Sequence, residues 1–174
     1  MKRLIGTIIA LFAFLAIAFV SEVNKKNAEK KTPTVGILQT MSHPALDQIH
    51  RGIIQGLKDE GYIEGKNLKI DFQNAQGDQS NLKSMSDRFS QENATVTIGI
   101  ATPAVQSLAN TSGNIPVVMG AVSDPLGAHL VKSLTHPGGK ITGVQDRQPI
   151  ASQLALMQEI LPKAKKHRCH LHLK

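Results

Sequence analysis

Between Pro33 and Pro162 the chain alternates short apolar runs with segments whose apolar residues recur every three or four positions. This alternation constrains the fold more than any other feature. Short runs joined by helices specify parallel strands with right-handed crossovers, since antiparallel hairpins would need no helices between them.

Val35-Gly36-Ile37-Leu38, just after Pro33, reads as the first strand. Leu46, Ile49, Ile53 and Leu57 follow at helical spacing, with Gly61 placed to end that helix in a left-handed conformation. Leu68, Ile70 and Phe72 alternate as a second strand, and Leu82, Met85 and Phe89 mark a second helix. Val96 to Ile100 and Pro116 to Met119 give two further strands, each followed by a predicted helix, about 103–110 and a short one near 126–134. Ile141 to Val144 is the fifth strand, and Ala151 to Leu161 a last helix stopped by Pro162. The fold class is α/β with a doubly wound parallel sheet.

Ahead of this body, Lys2-Arg3 precedes an unbroken apolar or small run from Leu4 to Val20, followed by a polar stretch rich in lysine. That is export architecture. As a helix the run is roughly 26 Å long, between a signal-peptide core and a full membrane span. A removed signal peptide and an uncleaved anchor both fit, and the bulky Phe19 and Val20 at its exit favour the anchor. The segments are therefore a leader or anchor over 1–21, a spacer over 22–32, a lobe over 33–148, a helix over 149–162 and a basic tail over 163–174.

The formal charge of +7 lies at the two ends, for residues 1–32 carry +4 and residues 163–174 carry +5. The body is left at −2, which does not supply the positive face that nucleic-acid binding requires. A single cysteine, Cys169, excludes a disulfide framework, and its neighbours His167, His170 and His172 match no closed zinc pattern. No metal and no cofactor are expected.

Three strand ends share one device: Ser42-His43 before Pro44, Thr102 before Pro103, and Ser123-Asp124 before Pro125. A polar cap followed by proline leaves the first-turn amides of a helix pointing outward, and in an open parallel sheet those termini gather at one edge. Such an edge favours a small anionic or zwitterionic ligand, with Asp124 able to meet an ammonium group. Catalysis has no comparable support. The body holds no glycine-rich phosphate fingerprint and no nucleophile elbow, and His43, His50, His129 and His136 are scattered.

Specific stretches resemble the substrate-binding proteins of ABC importers for aromatic amino acids. They are Val35 to Asp47, Gly52 with Gly56-Leu57 and Glu60-Gly61-Tyr62, Asn74 to Asp78, Gly99 to Ala104, Ala121 to Pro125, and Pro137 to Val144. The resemblance implies the first lobe of a two-lobed, Rossmann-like periplasmic-binding-protein fold. It implies an amino acid held in the cleft and passed to an ABC permease and its ATPase, with no enzymatic step. By motif, Gln39, Ser42 and His43 line the first-strand side, Thr102, Pro103 and Ala104 hold the carboxylate, and Asp124 lies near the ammonium group.

The expected protein is thus an extracytoplasmic monomer, tethered through residues 4–20 or secreted. A sensor or regulator ectodomain built on the same lobe is the alternative. Proteins of the resembled family run to nearly twice this length; by their pattern the helix over 149–162 belongs to an otherwise missing second lobe, and the basic tail stands where that lobe's first strand would follow. The chain is therefore read as cut short after Lys165, by a frameshift, with ligand binding weakened in consequence.

Overall fold

The computed structural model describes residues 32–147 and 149–162. The expected leader, the membrane segment 4–20, the spacer up to Lys31 and the basic tail with its histidines lie outside the described residues. Among those described, no helix is long and apolar enough to cross a membrane.

The elements in chain order are β1 (Thr34–Gln39), α1 (Pro44–Asp59), β2 (Lys69–Asn74), α2 (Gln79–Gln91) and β3 (Val96–Ile100). Then come α3 (Thr102–Thr111), β4 (Val117–Val122), β5 (Ile141–Gln145) and α4 (Ile150–Ile160). The five strands form one parallel sheet in the order β2-β1-β3-β4-β5. The order reverses direction between β1 and β3, the switch point at which open α/β sheets bind ligands. The fold is α/β with a parallel sheet, as the alternation dictates.

One predicted element is absent. Residues 126–134 do not form a helix: the chain turns once over 125–129 and runs on irregularly to β5. Asp124 O accepts from Ala128 N at 3.0 Å and Leu126 O from His129 N at 3.0 Å, but His129 then takes a positive φ of 55° and the turn cannot propagate. Leu130 and Val131 bury into the core while Leu126 and Leu134 stay in solvent.

The two faces of the sheet are covered unequally. One carries α2 and α3, whose Leu82, Phe89, Ala104, Val105 and Leu108 are buried with Leu38 and Val117 in a continuous core. Gly99 sets the distance, because a Cβ there would lie 2.6 Å from Val105 Cγ2 and 2.8 Å from the Val105 backbone nitrogen. The first turn of α3 therefore rests directly on β3. The opposite face carries α1, whose Leu46, Ile49, Ile53 and Leu57 pack on Val35, Ile37, Ile98 and Ile100 without any residue of the helix becoming fully buried.

Helix ends follow their sequence signals. Gly61, at φ 84°, closes α1 as the left-handed residue of a Schellman motif, with Tyr62 N donating to Leu57 O at 2.8 Å and Gly61 N to Lys58 O at 3.0 Å. Asp78 caps α2 through Oδ1, which accepts from Ser80 N at 2.7 Å and Asn81 N at 2.9 Å. The Ser80 hydroxyl and those amides hold the Asp78 carboxyl below the usual aspartate range. A depressed folded pKa contributes stability that is present above the unfolded value and lost as pH falls through the folded one. We expect thermal melts of the Asp78→Asn variant to lose part of the acid-side decline seen in the parent, and superimposable acid profiles would refute this.

Candidate functional site

In register, Gln39 on β1 stands opposite Ile100 on β3 and Asn74 on β2, and Ile100 stands opposite Gly120 on β4. The carboxyl ends of four strands therefore share one edge. The end of β1, the loops that leave this edge and the first turn of α3 carry every candidate residue named from the sequence.

At the β1 end Gln39 is fully buried, and its Nε2 donates to Met41 O at 2.8 Å and to Asp47 Oδ1 at 2.7 Å. Its Oε1 is buried with no donor among the described residues, a cost of about 1–3 kcal/mol that folded proteins tolerate chiefly where a site needs it. Thr40 ties the same end to β3, its N and Oγ1 both donating to Ile100 O at 3.4 and 3.1 Å. Ser42 Oγ accepts from Asn74 Nδ2 at 2.9 Å, which joins the β1 loop to the end of β2. His43 is the N-cap of α1, with Nδ1 accepting from Ala45 N at 3.3 Å, so its neutral ring carries the proton on Nε2. Ser42 and His43 are exposed.

At the β3 end the cap is not where the Thr-Pro pair places it. Ala101 caps α3, at φ 73° and ψ 158°, with no side-chain bond, and Thr102 and Pro103 are already helical. This backbone region belongs almost wholly to glycine, and holding an alanine there costs on the order of 1–3 kcal/mol. Such strain gathers at ligand sites and switches. Ala121, near the end of β4, also has a positive φ, of 58°.

Thr102 and Pro103 are half-buried, whereas the Ala104 side chain is fully buried beneath α3. Ala104 can therefore reach a ligand only through its backbone. The amides of Thr102 and Ala104 precede the first intrahelical bond and have no carbonyl partner among the described residues.

At the β4 end Asp124 opens a turn, not the helix expected there. Its Oδ1 accepts from Gly127 N at 2.9 Å, and Gly127 leaves room for Oδ2, since a Cβ at that position would collide with it. Asp124 Oδ2 carries no hydrogen bond among the described residues, and the residue is exposed just after β4. Gln145 Nε2 donates to Ser123 O at 3.0 Å and so brings the end of β5 to the same turn.

The edge thus gathers the amino termini of α1, α2 and α3, a capped acidic turn and a set of hydroxyl and amide side chains. Sequence reasoning passed over Asn74 and Asp47, which hold Ser42 and Gln39 in place. Asn74 at a strand end and Asp47 in a first helical turn were the available signals.

Residues 34–168 match the family model described as ABC transporter substrate binding protein. The chain belongs to that family. It is 43% identical over 146 residues to the tyrosine-binding protein of Clostridioides difficile (strain R20291), covering 84% of this chain and 42% of that protein. Among solved structures, it resembles an ABC domain from Streptococcus pneumoniae in complex with L-Trp at 45% identity and a TM-score of 0.73, over 76% of this chain and 44% of that one. A conserved domain protein from Vibrio cholerae O1 biovar eltor resembles it at 44% identity and a TM-score of 0.74, over 76% and 45%. The chain spans less than half the length of the relatives it matches.

Proposed function

We propose that this ABC transporter substrate-binding family member supplies the amino-terminal lobe, residues 33–148, of an extracytoplasmic solute-binding component of an importer. It is tethered through residues 4–20 and presents an amino acid, aromatic in its side chain, to a permease driven by an ATPase. Its role is binding without chemistry.

The observation that carries this reading is the pairing of opposite preferences on one edge. The free first-turn amides of Thr102 and Ala104 favour a carboxylate, and the Asp124 carboxylate favours an ammonium group. An α-amino acid offers both charges on adjacent groups. Ser42, His43 and Pro103 then border the ligand, while Gln39 sits beneath the β1 loop. The tyrosine-binding relative and the L-Trp complex support an aromatic side chain.

The test is calorimetric titration of the full chain in lipid nanodiscs with L-tryptophan, L-phenylalanine and L-tyrosine. The reading expects saturable binding of at least one of them. No saturable heat with any L-amino acid would sink it.

A further inference from the structure

The hydrogen bonds around the loop after β1 have a fixed direction, and it sets what that loop offers a ligand. Asn74 closes β2 in register with Gln39, and it is half-buried. Its Oδ1 accepts from Gln76 N at 3.0 Å, and its Nδ2 donates to Ser42 Oγ at 2.9 Å. A backbone N–H can only donate, so the oxygen of the Asn74 carboxamide must face Gln76 and the NH2 group must face Ser42. A flipped carboxamide would set donor against donor.

Ser42 Oγ is therefore an acceptor on its Asn74 side, and its own proton is left for another partner. Nothing among the described residues accepts that proton, and Ser42 is exposed. The loop that carries it is held from both sides. Thr40 Oγ1 donates to Ile100 O of β3 at 3.1 Å, and Gly77 N, just beyond β2, donates to Thr40 O at 2.8 Å.

Following the strand order β2-β1-β3-β4, the groups on this edge fall into a sequence of their own. The Ser42 hydroxyl lies between β2 and β1, the first-turn amides of Thr102 and Ala104 follow β3, and the Asp124 carboxylate follows β4. An α-amino acid whose carboxylate meets those amides and whose ammonium group meets Asp124 has its main chain over β3 and β4. Its side chain, laid along the edge, runs back toward β1. Neighbouring strands are about 4.8 Å apart, so a point over β3 and a donor between β1 and β2 are separated by roughly 7 Å. That separation suits an aromatic side chain with a substituent at its far end.

We propose that Ser42 reads the far end of the ligand's side chain as a hydrogen-bond donor, and that Asn74 is the positioning residue that sets its polarity. This rests on the amino acid site proposed above and narrows it. A ring that carries an acceptor at its far end, as a phenol does, is held better than a bare phenyl ring.

A carboxylate at position 74 reverses the polarity. One oxygen keeps the Gln76 N–H and the other takes the Ser42 proton, which leaves Ser42 only lone pairs to offer. A ring substituent that donates is then favoured over one that accepts.

Calorimetric titration of the full chain in lipid nanodiscs tests this with L-tyrosine, L-phenylalanine and L-4-aminophenylalanine. The last has the shape of tyrosine, but its aniline nitrogen donates well and accepts poorly. In the parent, tyrosine should bind about fivefold tighter than phenylalanine, the scale of one hydrogen bond, and tighter than aminophenylalanine. Ser42→Ala should bring tyrosine down to the affinity of phenylalanine and leave phenylalanine where it was. Asn74→Asp should invert the order of tyrosine and aminophenylalanine, which a residue that only supports the loop would not do. Ser42 is exposed, so Ser42→Ala keeps the test open should Asn74→Asp fail to accumulate.

Equal affinity of the parent for tyrosine and phenylalanine, a preference that survives Ser42→Ala, or an unchanged order in Asn74→Asp would each overturn the proposal and leave the amino acid site standing. So would binding of L-tryptophan alone. No saturable heat with any of these amino acids removes the site itself, and this proposal with it.

Discussion

Replacing Gly99 by alanine lowers the stability of the fold by about 3 kcal/mol, the upper part of the range for forcing extra atoms into a packed core. The new methyl would lie 2.6 Å from Val105 Cγ2 and 2.8 Å from the Val105 backbone nitrogen, and the second contact cannot be relieved by a change of rotamer. Relief requires the first turn of α3 to lift off β3, which uncovers Ala104, Val105 and Leu108 from a core in which all three are fully buried. Chemical denaturation should show a lower midpoint with the slope kept. The same displacement moves the Thr102 and Ala104 amides away from the strand edge, so ligand affinity should fall with stability. A Gly99→Ala variant as stable as its parent would mean that α3 does not rest on β3 as described.

The second large effect is on binding alone. Asp124→Asn keeps an oxygen to accept from Gly127 N and so keeps the turn, but removes the negative charge. If that carboxylate meets the ammonium group, affinity for an aromatic L-amino acid drops by about tenfold or more, the usual scale for losing a charge-assisted hydrogen bond. The melting temperature should not change. Asp124→Ala should cost affinity and loosen the 125–129 turn as well. Equal affinity of Asp124→Asn and the parent would remove Asp124 from the site.

Much of this architecture is legible in the residues, for physical reasons that also mark where legibility stops. The central strands could be read because their apolar runs are buried on both faces of a parallel sheet, as with Val35 to Leu38 and Thr97 to Ile100. Gly61 could be read because its left-handed conformation suits glycine. The helix expected over 126–134 fails because spacing reports which residues are apolar and not which are buried. Leu126, Leu130 and Leu134 are four apart, yet only Leu130 enters the core and His129 breaks the turn between them.

The Thr102-Pro103 pair predicts a cap at Thr102, because threonine before proline usually is one. The helix instead starts from Ala101, whose strained backbone nothing in an alanine side chain announces. The partners of the edge residues were equally hidden, because the pairing of Gln39 with Asp47 and of Ser42 with Asn74 depends on strand register.

The account rests on an amino acid site at the carboxyl edge of the sheet. The most direct test is hydrogen–deuterium exchange of the full chain in nanodiscs, with and without saturating L-tyrosine or L-tryptophan. Slowed exchange is predicted in the segments after β1, β3 and β4, namely 40–47, 101–106 and 123–128, with the rest of α1 unchanged. Protection confined to α1 beyond Asp47, or none with either amino acid, would contradict such a site.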